Sequence, residues 1–142
     1  MFLLFLQNDT TKKRFSLQLQ RCSACGETQY PPRERCGHCL ADCLQWQAVP
    51  AGGTVLASTA LAHSLEPWYA ARAPWTVASL RLEAGPVAFA HIRARDAAPG
   101  TRLQLATARD AGGGWCLVAF GPAEKDSMKA LQACLQELGM HT

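Results

Sequence analysis

The chain has 142 residues and a mass of 15.4 kDa, which is enough for one domain of ordinary size or two very small ones. Hydrophobic residues make up 49% of it and charged residues 18%, a globular rather than a disordered composition. No apolar run approaches the roughly 20 residues that a bilayer-spanning helix needs, which excludes a transmembrane protein. The net charge of +3 is too weak to indicate nucleic-acid binding by itself.

The chain begins with a short apolar run at residues 1–6. It has neither the preceding basic stretch nor the following cleavage site of a signal peptide. We interpret residues 1–15 as a short N-terminal docking segment and expect the protein to stay in the reducing cytoplasm. In that compartment, clustered cysteines bind metal more often than they form disulfides.

Four of the seven cysteines follow the pattern C-x2-C-x10-C-x2-C, and they are Cys22, Cys25, Cys36 and Cys39. Two thiolates separated by two residues can reach one ion from a single tight turn, and Gly26 frees the backbone of the first turn. Four thiolates leave no open coordination position for water. The spacing therefore predicts one structural, non-catalytic Zn²⁺ per chain.

Two nearby side chains and one other metal remain as alternatives. His38 lies inside the second turn and Cys43 lies four residues beyond Cys39, so a mixed ligand set is possible. An iron site of rubredoxin type would use the same four cysteines, although rubredoxins usually separate the two turns by more than ten residues. We interpret Cys116 and Cys134 as core thiols.

The remainder of the chain predicts short strands and then one helix. A loop at 67–74 carries three large side chains, and turns rich in Gly and Pro separate strands predicted at 54–62, 75–82, 87–93, 102–106 and 115–120. Strands of this length and spacing are typical of a small antiparallel barrel of the OB size. Leu131, Leu135 and Leu138 then recur at helical spacing, with Asp126 or Ser127 as the cap and Gly139 as the stop.

Residues from about Phe15 to Pro122 resemble a family of acyl-CoA-associated accessory proteins that joins a rubredoxin-like zinc ribbon to an OB domain. The segments that carry the resemblance are residues 17–26 and 30–39, Trp46, and residues 53–55, 58–59, 74–75, 82–86, 99–100 and 120–122. A zinc ribbon alone is common to many folds, but the ribbon followed by this ordered series is specific.

The resemblance implies a mainly β fold with a zinc ribbon at 16–45 and an OB-type barrel at 46–122. The sequence departs from the family at both ends: the docking segment at 1–15 stands where many relatives have a longer helical segment, and the amphipathic helix at 123–142 is an addition. The resemblance also implies a non-catalytic subunit that docks on a thiolase-like or ketosynthase-like enzyme and stabilises it. A CoA thioester that the subunit helps to hold, and a hotdog-fold hydratase as partner, are further implications. No membrane partner is expected.

The residues themselves offer no catalytic set. His63 and His91 are interpreted as single histidines on strands, without a nucleophile or paired acid and base. Trp68, Tyr69, Arg72 and Trp75 are candidate ligand-binding or partner-binding residues, because aromatic residues and arginine are enriched at binding hot spots. The alternatives are single-stranded nucleic-acid binding by the barrel and general protein docking without CoA.

Apolar side chains at both ends of the chain are expected to form docking surfaces. They are the run at 1–6 and the stripe of Leu131, Leu135 and Leu138, which together exceed what a small barrel needs for its own core. The alternative is that both ends pack on the barrel.

Overall fold

The computed structural model describes residues 15–121 and 127–142. The first three strands, β1 (Ser16–Cys22), β2 (Thr28–Gln29) and β3 (Leu44–Pro50), form an antiparallel sheet in the order β2-β1-β3. A closed barrel follows, in the order β4-β5-β6-β8-β7. Its strands are β4 (Gly52–Leu61), β5 (Trp75–Leu82), β6 (Val87–His91), β7 (Arg102–Arg109) and β8 (Trp115–Phe120). The mainly β fold with an N-terminal ribbon, an OB-type barrel and a C-terminal helix is confirmed.

Two helices complete the described residues. Helix α1 (Pro67–Ala70) is a single turn within the loop that joins β4 to β5, and α2 (Ser127–Leu138) follows the barrel. Ser127 is the first residue of α2, whereas Asp126, the other predicted cap, lies outside the described residues, as do residues 1–14 of the predicted docking segment. Neither helix is long and apolar enough to cross a membrane.

The three-stranded sheet shares one hydrophobic core with the barrel. Leu17 and Leu19 alternate with polar residues along β1 and are each 2% exposed, as expected for a strand with one buried face. Before β1, the Phe15 ring meets the Phe120 ring edge-on at 5.3 Å. The Ala51 amide donates a hydrogen bond of 3.1 Å to the Phe15 carbonyl. These contacts fix the metal-binding end of the chain to the barrel.

Strand β4 changes its neighbours halfway along its length. Its first residues pair with both β5 and β7, and a bulge between Val55 and Ala57 marks the change. A Cβ at Gly53 would lie 3.0 Å from Leu105 Cδ1 and 3.3 Å from the Arg81 carbonyl oxygen, so this position favours glycine. From Leu56 to Leu61 the strand pairs with β5 alone and every residue is exposed. This half of β4 therefore extends past β7, with β5 as its neighbouring strand.

The apolar stripe of α2 packs on the barrel, so our expectation that it is an exposed docking surface is wrong. Leu131, Cys134, Leu135 and Leu138 are all buried in the common core. The Cys134 thiol lies 3.8 Å from the Ala119 carbonyl oxygen. The barrel needs this helix because strands β7 and β8 are buried on both faces: residues 105–108 of β7 and 117–120 of β8 are buried in succession.

Charged side chains hold the last turn of α2 against the barrel. Arg93 Nη1 lies 3.2 Å from Glu137 Oε1, and Arg95 Nη1 donates a hydrogen bond of 2.8 Å to Glu137 Oε2. Arg93 also donates a hydrogen bond of 3.2 Å to the Gly121 carbonyl at the end of β8. Beyond the helix, the Arg109 amide donates to the His141 carbonyl at 2.7 Å, so the C-terminus is tied to the edge of β7.

We predict that Leu131→Ala destabilises the isolated chain by about 2–5 kcal/mol, because it leaves a cavity between α2 and the barrel. Chemical denaturation of the purified protein measures this change. Met128→Ala, on the same helix but 46% exposed, is the matched control and should alter the stability by about 0.5 kcal/mol or less. Equal stabilities of the Leu131 variant and the wild type would contradict the packing.

Candidate metal centre and aromatic pocket

The two C-x2-C turns adopt the same backbone conformation. The Gly26 amide donates to the Cys22 carbonyl at 2.9 Å, and the Leu40 amide donates to the Cys36 carbonyl at 3.0 Å. The residue after each second cysteine is left-handed, with φ of +77° at Gly26 and +62° at Leu40. Glycine adopts this conformation freely, whereas leucine pays about 1–2 kcal/mol for it. The sequence marked the first turn with glycine and gave no such signal for the second.

The four predicted cysteines meet at one point between these turns. Their sulfur atoms all lie within 4.8 Å of one another, and two of the pairs, Cys22 with Cys39 and Cys25 with Cys36, are 3.6 Å apart. A tetrahedral zinc with Zn–S bonds of about 2.3 Å needs sulfurs about 3.8 Å apart. The donor set therefore fits one structural zinc.

Backbone amides favour the thiolate form of Cys36, one of the four ligands. N–H groups of Cys39 and then His38 lower the pKa of Cys36 to about 6, and the His38 amide lies 3.4 Å from the Cys36 sulfur. When bound, zinc supplies the positive charge that four adjoining thiolates need. The protein supplies the two turns, the amides that face sulfur, and the β1–β3 ladder, which ends at the Cys22–Leu44 pair.

Neither alternative ligand belongs to the four-sulfur group. The Cys43 sulfur lies 3.8 Å from the Cys22 sulfur, but in the described part of the chain the group that could hold a metal comprises only the four predicted cysteines. His38 contributes its backbone amide to the site, while its side chain is outside the group. Cys43 is thus a fifth thiol in contact with one ligand.

The aromatic side chains predicted to bind a ligand or partner form one cluster beside α1. The ring centroids of Trp68, Tyr69 and Trp75 are 4.8–5.4 Å apart. The Arg72 guanidinium lies 4.1 Å above the Trp68 ring and donates to the Trp68 carbonyl at 3.1 Å. Trp75 is only 7% exposed. The structure brings these four residues together, and their binding role remains a prediction.

Two residues that our sequence analysis did not connect with the cluster belong to it. The Trp75 indole N–H donates a hydrogen bond of 2.7 Å to His91 Nδ1, and the Tyr69 hydroxyl donates to Asp110 Oδ2 at 3.2 Å. The Tyr69 ring stacks on His91, with centroids 5.8 Å apart and planes 15° apart. The sequence did contain a signal for the contact between Trp75 and His91. The strands predicted at 75–82 and 87–93 leave a turn at 83–86, and the register of that hairpin pairs His91 with Val77, two residues from Trp75.

Burial sets the protonation states in this cluster. It lowers the pKa of His91, an effect that the Asp110 carboxylate partly opposes. It also raises the pKa of Tyr69, and Asp110 adds to that shift. Tyr69 therefore stays a neutral hydrogen-bond donor, and His91 favours the neutral imidazole.

A pocket of about 210 Å³ opens between this cluster and the loop that follows β4. Its aromatic wall consists of Tyr69, Trp75 and His91, and its exposed rim consists of Leu61, His63, Ser64 and Ala73. Of the four predicted binding residues, two line the pocket. Trp68 and Arg72 are not among the lining residues and face Gly139 instead, where an added Cβ would be 3.2 Å from Trp68 and 3.6 Å from Arg72.

Comparison with known proteins agrees with this architecture. The rubredoxin-like zinc ribbon domain of ChsH2 matches residues 12–44, and the C-terminal OB-fold domain of ChsH2 matches residues 46–108. The chain belongs to the ChsH2 family of zinc-ribbon and OB-fold proteins. A chain of the solved structure titled "Ltp2-ChsH2(DUF35) aldolase" superposes with a TM-score of 0.58 at 24% sequence identity, covering 73% of this chain and 83% of that one. A search of curated proteins finds no significant match.

We predict that Cys36→Ser lowers the zinc content below one per chain and destabilises the protein, because metal binding and folding are coupled in such sites. Elemental analysis of the purified chain measures the zinc. Cys43→Ser removes the adjoining fifth thiol and should leave one zinc per chain. Iron in place of zinc, or a well-folded metal-free wild type, would contradict the assignment.

We also predict a pH dependence that originates at His91. Because its folded pKa lies below the unfolded value of about 6.5, the unfolded state binds more protons in this range. The contribution of neutral His91 to the free energy of unfolding is then fully present above pH 6.5 and is lost as the pH falls below that value. His91→Asn should lose less stability than wild type between pH 7.5 and 5.5 in denaturation experiments. Parallel profiles for the two proteins would show that His91 does not titrate differently on folding.

Proposed function

We propose that this chain is the non-catalytic small subunit of a thiolase-like enzyme that acts on acyl-CoA in the cytoplasm. It docks on the large subunit, stabilises it, and helps to hold the CoA thioester or its acyl chain. A ketosynthase-like enzyme would be an equivalent partner, and a hotdog-fold hydratase is a further candidate. Membership of the ChsH2 family is the first support for this proposal. The chain in the superposed structure belongs to an assembly whose title names Ltp2 and ChsH2 together.

The observation that carries the proposal is a surface of uncharged, mostly apolar side chains on the outside of β4, β5 and β6, with Arg81 at its margin. We call it the outer face, and it consists of Ala57, Thr59, Val77, Ser79, Val87 and Phe89, which the strand register places side by side. Phe89 is 72% exposed near its centre. Its pairing partner Ser79 is too short to cover the ring. A large exposed aromatic residue among uncharged side chains is typical of a protein-docking surface.

The chemistry of the pocket supports a non-catalytic role. On its aromatic wall, His91 Nδ1 accepts a hydrogen bond from Trp75 and therefore cannot act as a base, and the Tyr69 hydroxyl donates to Asp110. Burial raises the pKa of Cys116 to about 11, with a smaller contribution from the Asp110 carboxylate, so this thiol is a poor nucleophile at neutral pH. The four-thiolate zinc site leaves no position for a substrate.

Charge on the outer face argues against the nucleic-acid alternative. Barrels that bind single strands combine stacking aromatic residues with a positively charged groove. Among the described residues, Arg81 is the cation that shares the register of the outer face, opposite Val87. Its guanidinium already donates to the Gly85 carbonyl at 3.3 Å. A surface of this kind neutralises few phosphates, and phosphate neutralisation supplies most of the non-specific affinity.

We predict that the chain co-purifies with a thiolase-like protein of the same cell when the two are co-expressed. Size-exclusion chromatography should show one complex, and the acyl-CoA activity should be higher in the complex than in the large subunit alone. The small subunit alone should show no turnover of acyl-CoA. Phe89→Glu should weaken the complex at least about tenfold, because docking then buries an unpaired carboxylate.

The control for this experiment is Met128→Glu, which places the same charge on an exposed apolar position of α2, away from the outer face. It should leave the complex unchanged. The proposal would be refuted if the chain stays monomeric, binds none of the thiolase-like proteins tested, and binds single-stranded nucleic acid with a steep salt dependence.

A further inference from the structure

We propose that the aromatic pocket is a binding site, within this chain itself, for a neutral apolar group that carries a carbonyl oxygen. The pocket is the space of about 210 Å³ bounded by Tyr69, Trp75 and His91 and by the loop after β4. The inference goes beyond the proposed function, because it assigns a ligand to the lone chain and does not depend on which enzyme the chain joins.

The hydrogen bond between Trp75 and His91 determines what the pocket offers to a ligand. An indole nitrogen is a donor and never an acceptor, so His91 Nδ1, which receives the bond at 2.7 Å, carries no proton. A neutral imidazole then has its proton on Nε2. No residue in the described ranges 15–121 and 127–142 accepts a hydrogen bond from this nitrogen. Because no buried side-chain polar atom of the described residues lacks a partner, Nε2 is reached by solvent. His91 thus offers one accessible N–H donor of fixed tautomer on a residue that lines the pocket.

The charge around the pocket selects a neutral ligand. None of the residues that line it is Lys, Arg, Asp or Glu, and its polar rim consists of His63 and Ser64. The lining therefore holds no side chain with a permanent charge that could neutralise a charged ligand. Asp110 lies behind Tyr69 and holds its hydroxyl at 3.2 Å, and its carboxylate would repel an anion. A cation would face the Nε2–H donor. A carbonyl oxygen accepts that hydrogen bond without bringing a charge.

The size and walls of the pocket define the remainder of the ligand. A volume of about 210 Å³ equals that of roughly seven water molecules at about 30 Å³ each. It therefore takes one ring or a short branched chain rather than a whole cofactor. Tyr69 and Trp75 give this group flat aromatic walls, and Leu61 gives it an aliphatic rim. Burial of apolar surface against these walls supplies the affinity, and the His91 donor supplies the orientation.

Nuclear magnetic resonance on the zinc-loaded full-length chain tests the site with small probes. Cyclohexanone is the neutral carbonyl probe, and cyclohexylamine and cyclohexanecarboxylate are its cationic and anionic counterparts at pH 7.5. We expect cyclohexanone to shift the Trp75 indole and His91 Nε2–H signals saturably. The two charged probes should bind at least about tenfold more weakly.

Two pairs of proteins locate the binding. Ala73→Leu fills the rim of the pocket and should abolish the shifts, whereas Ala71→Leu, an exposed position outside the pocket lining, should bind as the wild type does. His91→Phe removes the donor and should weaken cyclohexanone binding about fivefold or more, the worth of one hydrogen bond. If His91→Phe does not fold, the Ala73 and Ala71 pair still decides the location.

Three results would overturn the proposal: no saturable shift with cyclohexanone, equal binding of all three probes, or unchanged binding in Ala73→Leu. These measurements use the chain without a partner. A failure here would therefore leave the docking proposal standing, and a failure to form a complex would leave the pocket standing.

Discussion

Mutual repulsion among four thiolates is the constraint on which the N-terminal half of the structure depends. Sulfur atoms within 4.8 Å of one another hold together only with a cation between them, and the two turns that present them contain few buried apolar side chains of their own. The cost of the left-handed Leu40 has to be met by the same metal bonds. Strand β1 connects the metal site to the barrel, since Phe15, directly before the strand, contacts Phe120, and the strand ends at Cys22.

The opposite end of the molecule is organised by aromatic packing instead of metal. One turn of helix, α1, places Trp68 and Tyr69 over Trp75, where an open barrel end would otherwise expose its core. The segment after α2 continues this cover, because Gly139 lies against Trp68 and Met140 is buried. Helix α2 is thus part of the barrel's own structure. That role explains why Leu131, Leu135 and Leu138 are buried in the core and do not form a surface for a partner.

Local patterns sufficed wherever one chemical rule dominated. The spacing of Cys22, Cys25, Cys36 and Cys39 predicted the metal group because only one geometry lets such pairs share an ion, and alternation predicted β5 and β6 because one face is buried. The surface that the apolar face of α2 packs against was not predictable. Helical periodicity defines which residues form an apolar face, but not what covers it. His91 and Asp110 were missed for a related reason: their partners are 16 and 41 residues away in the chain, and only the register of the closed barrel brings them together.

The outer face and the aromatic pocket share strands β5 and β6, which links the two surfaces physically. Phe89 and His91 are two residues apart on one side of β6, so their side chains emerge about 7 Å from each other. A protein that covers Phe89 therefore also lies beside the wall that carries the His91 donor. Such a neighbour removes water from around that donor, and a hydrogen bond in a drier environment is stronger. A barrel built in this way places one N–H donor and one apolar wall beside the outer face, while the zinc site lies at the far end of β1.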